Sequence, residues 1–113
     1  MDKEAMNNLA KQKKDLEIRI IAELKTIFDP EIPVDIYEIG LIYKLTIDDD
    51  YTVHILMTLT TPNCPVAESL PEEVREKIKA VEGVKNLDLE LTFEPPWDYS
   101  LLTEEAKLEL GLL

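Results

Sequence analysis

Two stretches of strand-like alternation are separated by one amphipathic stretch of helical length, and that arrangement leaves this chain few folds. Residues 51–60 put Val53, Ile55, Met57 and Leu59 on one face and Thr52, His54, Thr58 and Thr60 on the other, with Leu56 the exception. Residues 87–93 alternate Leu87, Leu89, Leu91 and Phe93 with Asp88, Glu90 and Thr92. A period of two marks a half-buried strand. Between them Val66, Leu70, Val74, Ile78 and Val81 recur at helical spacing. A strand that reaches the next through a helix pairs with it in parallel, by a right-handed crossover.

The remaining elements follow the same logic. Leu16, Ile20, Ile21, Leu24, Ile27 and Phe28 form one apolar stripe, predicting a helix that stops at Asp29-Pro30, because the residue before proline disfavours helix. Residues 1–15 are polar and read as a frayed helical extension, outside a single domain spanning 16–113. Leu41 to Ile47 reads as a strand, joined to the next by the short hairpin connection Asp48-Asp49-Asp50. Pro65 marks a helix start. Pro71 is expected to kink or split that helix, with Ser69 and Glu72 offering a capping box for a second start. Gly83 suits its C-cap, and Thr103 caps a last short helix closed by Gly111. The expected fold is α+β: a two-layer sandwich in the order α-β-β-α-β-α, with a three-stranded mixed sheet and the helices packed on one face.

Charge narrows the partners. The 113 residues carry 24 Asp and Glu against 12 Lys and Arg, a net charge of −12. A nucleic-acid binder that tracks phosphates needs a basic patch, and an anionic membrane surface is equally unsuited. No stretch reaches the length of a transmembrane helix, and the first residues lack the layout of a signal peptide. A single cysteine forms no internal disulfide. The expected location is therefore the reducing cytoplasm. Three strands leave two edges, so a homodimer through one of them is open to the chain.

The one cysteine, Cys64, lies in Thr60-Thr61-Pro62-Asn63-Cys64-Pro65, at the expected helix start. Free N–H groups and the positive end of the helix dipole favour thiolate there, the form that binds metal or attacks an electrophile. The alternative is a small semi-buried structural residue. The lone histidine, His54, reads as a solvated sheet residue; at roughly 3.3 Å per residue it falls about 20 Å down the strand from Cys64, too far for a dyad. Hairpin topology instead brings the loop of Asp29, Pro30, Glu31 and Asp35 to the end of the sheet where Thr60, Thr61, Pro62, Cys64 and Pro65 emerge. Carboxylates raise a thiol pKa, whereas a cation uses both groups together. Cys64 is thus a candidate transient metal ligand, with Asp29 and Glu31 weaker ones, against a plain reading in which Asp29 caps a turn and Glu31 is solvated. There is no glycine-rich phosphate loop, no paired-histidine motif and no C-x-x-C. Trp97 follows two prolines; it either presents a docking edge or, the preferred reading, folds back over the core.

In order and spacing, Asp29-Pro30-Glu31-Ile32-Pro33-Val34-Asp35-Ile36, Gly40-Leu41-Ile42-Tyr43, Met57-Thr58-Leu59-Thr60-Thr61-Pro62-Asn63-Cys64-Pro65, Phe93-Glu94-Pro95-Pro96-Trp97 and Glu109-Leu110-Gly111 resemble the motifs of the SufT/PaaD-like family of metal–sulfur cluster biosynthetic proteins. The resemblance covers residues 16–113. It implies a cytoplasmic accessory factor in iron–sulfur cluster assembly or maturation, without catalytic turnover, acting on scaffold, carrier or client proteins. It places the functional surface at the Cys64 motif and the Asp29-Pro30-Glu31 loop. One thiol cannot complete a four-thiolate shell, so no resident cofactor is expected and any iron or iron–sulfur cluster is held transiently. The chain runs to Leu113 without the cysteine-rich segment of the phenylacetate-pathway branch, so the general maturation role is expected. The alternative is a protein-interaction adaptor with a structural cysteine and no metal binding.

Overall fold

A computed structural model describes residues 3–29, 32–60 and 69–111, with side chains from residue 8 onward except that of Ser69. The elements are α1 (Lys3–Leu24), β1 (Ile42–Ile47), β2 (Thr52–Met57), α2 (Ser69–Lys79), β3 (Asn86–Leu91), a single 3-10 turn (Tyr99–Leu101) and α3 (Glu104–Glu109). The sheet order is β1-β2-β3, with β1 antiparallel and β3 parallel to β2. This is the expected α-β-β-α-β-α sandwich.

Alternation sets the sheet. Val53, Ile55 and Met57 are buried, while Thr52, His54 and Leu56 are half-buried on the opposite face. Across the ladders Leu45 pairs with Ile55 and Ile55 with Leu89, while Thr46 pairs with His54 and His54 with Asp88. A bulge at Tyr43 interrupts β1 between Ile42 and Lys44. The hairpin turn ends on Tyr51, at φ 63°, a left-handed position usually given to glycine. Its hydroxyl donates to Gln12 on α1, and its carbonyl accepts from Lys85 N–H at 3.1 Å.

On the inner face α1 covers β1 and α2 covers β3. Leu16, Ile20 and Leu24 of α1 meet Leu70, Val74 and Ile78 of α2 in one core. The polar stretch before residue 16 continues into the same helix without a break. The end of α1 differs from expectation. The Thr26 hydroxyl donates to Glu23 O at 2.6 Å, and Thr26 and Ile27 N–H bond three residues back. This tightened turn closes the helix at Leu24, well before Asp29. Ile27 stays in the core, but Phe28 turns outward at 56% exposure and its backbone bridges Asp35.

The expected helix start at Pro65 lies outside the described residues, and from Ser69 to Lys79 α2 runs unbroken through Pro71. This proline is the third residue of the helix and buried, in the first turn, where a missing N–H breaks no intrahelical bond. Gly83, at φ 104°, sits in the turn beyond the helix rather than at its cap. Thr103 caps α3 as expected, its side chain accepting Ala106 N–H at 3.1 Å.

Candidate functional site

Residues 32–41, which lead into β1, do not form a surface loop. Ile32, Val34, Ile36, Ile39 and Leu41 are all buried and belong to the main core. Ile36 N–H donates to Ile27 O at 2.8 Å, Leu41 N–H to Ile36 O at 3.1 Å, and Thr58 N–H to Leu41 O at 2.8 Å. These three bonds stitch the end of α1, the acidic loop and the exit of β2 together at one end of the sheet. Asp35 and the Thr58-Leu59-Thr60 stretch therefore share that end, as hairpin topology predicts.

Each described site residue has a definite environment. Asp29 is 4% exposed, and one carboxylate oxygen accepts Ile32 N–H at 3.3 Å; this is the turn-capping role. Asp35 accepts Glu38 N–H at 3.0 Å, fixing the turn that follows it. Burial, reinforced by the Glu38 charge, raises the Asp35 pKa against the pull of backbone N–H donors at Glu38 and Tyr37. The Thr60 hydroxyl oxygen is buried without a hydrogen-bond partner among the described residues. Thr58 is fully buried, its hydroxyl 3.5 Å from Leu59 O. Pro30, Glu31, Thr61, Pro62, Cys64 and Pro65 lie outside the described residues. No group of three or more His, Cys, Asp or Glu among the described residues is placed to hold a metal ion.

Trp97 takes the core-packing role. It is half-buried against the core, its indole N–H donates to Ile39 O at 2.6 Å, and its ring meets Tyr99 at 5.3 Å between centroids. Trp97 thus brings the C-terminal segment onto the 35–41 turn. The sequence reading missed the rest of this clasp. Glu38 accepts from Lys25 at 3.3 Å and from the Thr103 hydroxyl at 2.6 Å, and Thr103 N–H donates to Glu38 O at 2.9 Å. Gly40, at φ 83°, lies so close to Leu101 that a Cβ would stand 2.5 Å from its carbonyl oxygen. The glycine in the Ile39-Gly40-Leu41 turn was the one available signal. Tyr43 adds a tie from the bulge, its hydroxyl donating to Pro95 O at 2.7 Å.

His54 stands apart from this site, nearer the hairpin turn. Its Nε2 contacts Asp48 at 2.7 Å and its Nδ1 contacts Asp88 at 3.2 Å. Hydrogen bonds to Asp48 first and Asp88 second raise its pKa. Both nitrogens are engaged by carboxylates on opposite sides of the ring, so neither is poised as a base for a nucleophile.

This small α+β sandwich is also the fold of a known structure. The crystal structure of a domain of unknown function from Bacillus anthracis superposes with a TM-score of 0.81 at 30% identity, covering 92% of this chain and 99% of that one. The family described as iron–sulfur cluster assembly protein matches residues 17–89. A protein of Porphyromonas gingivalis named Fe-S protein maturation auxiliary factor is 50% identical over 83% of this chain and 90% of its own length. Bacillus subtilis YitW, with the same descriptive name, is 35% identical over 86% and 95%. The chain belongs to the iron–sulfur cluster assembly protein family. The resemblance to SufT-like proteins drawn from the sequence motifs therefore holds.

Proposed function

We propose that this chain is an accessory factor in the maturation of iron–sulfur proteins, acting in the cytoplasm through a Cys64-centred surface and without catalytic turnover. The single observation that carries the reading is the bond relay from Ile27 through Ile36 and Leu41 to Thr58. It anchors the turn that carries half-buried Asp35 beside the strand exit that leads, six residues later, to the one thiol. The names of the relatives point the same way: they are called maturation auxiliary factors, and more distant ones are called iron–sulfur cluster carrier proteins. No helix among the described residues is long and apolar enough to cross a membrane.

Iron or an iron–sulfur cluster is here cargo rather than a resident cofactor. Cys64 is the proposed transient ligand, with Asp29 and Glu31 as weaker ones. One thiolate leaves a cluster shell incomplete. The remaining ligands come from a scaffold, carrier or client protein, a second copy, or a small thiol. The test is anaerobic iron–sulfide reconstitution of wild type and Cys64→Ser, read by visible absorption. A charge-transfer band in wild type alone makes Cys64 a ligand. Full restoration of iron–sulfur enzyme activity by Cys64→Ser in a deletion strain removes the central residue of the proposal.

A further inference from the structure

Among the described residues β3 is the last strand of the sheet, and only β2 pairs with it. Thr92 N–H donates to Met57 O at 2.9 Å. With the two-residue period of the ladder, the N–H groups of Asp88 and Glu90 face β2, and those of Leu87, Leu89 and Leu91 face away. Among the described residues nothing pairs with that outward side. The opposite edge, β1, is disturbed by the bulge at Tyr43 and tied down through Pro95. A bulge is one of the ordinary defences of an edge strand. β3 has no bulge, no proline and no lysine along its length.

The two faces of this edge define what fits. On the outer face stand Asp88 and Glu90, both exposed. On the inner face Leu91 is 36% exposed, and Phe93, just beyond the strand, is 39% exposed. A second copy pairing antiparallel here sets Asp88 and Glu90 against their own counterparts, in a chain that already carries −12. Like charges directly across a ladder are destabilising. The same charges favour a strand bearing lysine or arginine on its outer side and aliphatic residues on its inner side.

We propose that the outward edge of β3 is a docking site for an extended segment of a partner protein in which basic and apolar residues alternate, added as a fourth strand. This extends the reading of the chain as a factor that works by contact. Main-chain bonds to Leu87, Leu89 and Leu91 supply the grip. Asp88 and Glu90 supply the choice of partner.

The test uses the full chain and two blocked synthetic peptides, Thr-Lys-Val-Lys-Val-Lys-Thr and Thr-Glu-Val-Glu-Val-Glu-Thr. Amide hydrogen exchange is followed residue by residue by NMR. With the lysine peptide at saturation, exchange at Leu89 and Leu91 slows about tenfold or more, because those amides leave water for a ladder bond. Asp88 and Glu90, already bonded to β2, change little. The glutamate peptide gives no protection, and Glu90→Lys weakens the lysine peptide about five- to tenfold at low salt. Glu90 is exposed, so its replacement leaves the core intact. Three results overturn the proposal: no slowing at Leu89 and Leu91, equal binding of both peptides, or protection that rises with protein concentration alone and so assigns the edge to a second copy. The readout involves no iron and no client, so this proposal and the maturation reading fail independently.

Discussion

The Glu38 carboxylate accepts the Thr103 hydroxyl at 2.6 Å, joining residues 65 positions apart. The same hydroxyl oxygen accepts Ala106 N–H, so one side chain both caps α3 and fastens it to the 35–41 turn. Lys25 holds the other Glu38 oxygen at 3.3 Å and lies 5.6 Å above the Tyr37 ring. Removing the hydroxyl loses a cap and a charge-assisted bond together. Thr103→Ala is expected to lower stability by about 1–2 kcal/mol, and Thr103→Ser to recover most of it. Urea unfolding of the three proteins measures the difference, and an unchanged midpoint in Thr103→Ala rules out the clasp.

Two glycines separate backbone strain from collision. Gly40 and Gly111 both have left-handed φ, 83° and 75°, but only Gly40 faces a neighbour, Leu101 O at 2.5 Å from an added Cβ. Gly111→Ala meets open space and is expected to cost about 1 kcal/mol, the left-handed penalty alone. Gly40→Ala adds a backbone clash and is expected to cost clearly more, about 3 kcal/mol. Thermal melts of the two variants rank them; equal losses mean that the 97–110 segment does not press on the turn.

Trp97 is the one tryptophan, so its fluorescence reports on the clasp directly. Trp97→Phe keeps an aromatic ring beside Tyr99 but deletes the donor to Ile39 O. A stability loss of about 1 kcal/mol is expected. A tryptophan presented only to partners predicts no loss at all on unfolding in denaturant.

The fold was legible where periodicity is local. The alternation of residues 51–57 and 87–91 specified both faces of the sheet, and the intervening helix specified a parallel pair. Reading failed where a residue's fate depends on distant partners. Phe28 shares the spacing of the α1 stripe, yet Thr26 and Glu23 close the helix first and turn it outward. Residues 32–41 look like a proline-punctuated loop, yet five of their aliphatic side chains enter the core. Hairpin topology alone brings the 35–41 turn to the exit of β2 at Thr58, while the Cys64 motif lies outside the described residues. Glu38 and Thr103 carry no local signal, since each is an ordinary polar residue until the C-terminal segment folds back.

His54 turns the outer sheet face into a pH-dependent joint between the hairpin turn and β3. Asp48 and Asp88 engage its two nitrogens, Asp50 lies near enough to feel its charge, and Lys44 and Glu90 line the same groove. The doubly protonated imidazolium donates to both carboxylates, which is why its pKa is raised from 6.5. The sign follows. The charged form is favoured in the folded state, so its stabilisation is fully present below pH 6.5, the unfolded value, and is lost as pH rises through the higher folded pKa. His54→Gln is expected to flatten the change in melting temperature across that window while leaving the alkaline value near that of wild type. An NMR titration of the imidazole checks the premise: a midpoint at or below the unfolded value would show that the two carboxylates do not hold the proton.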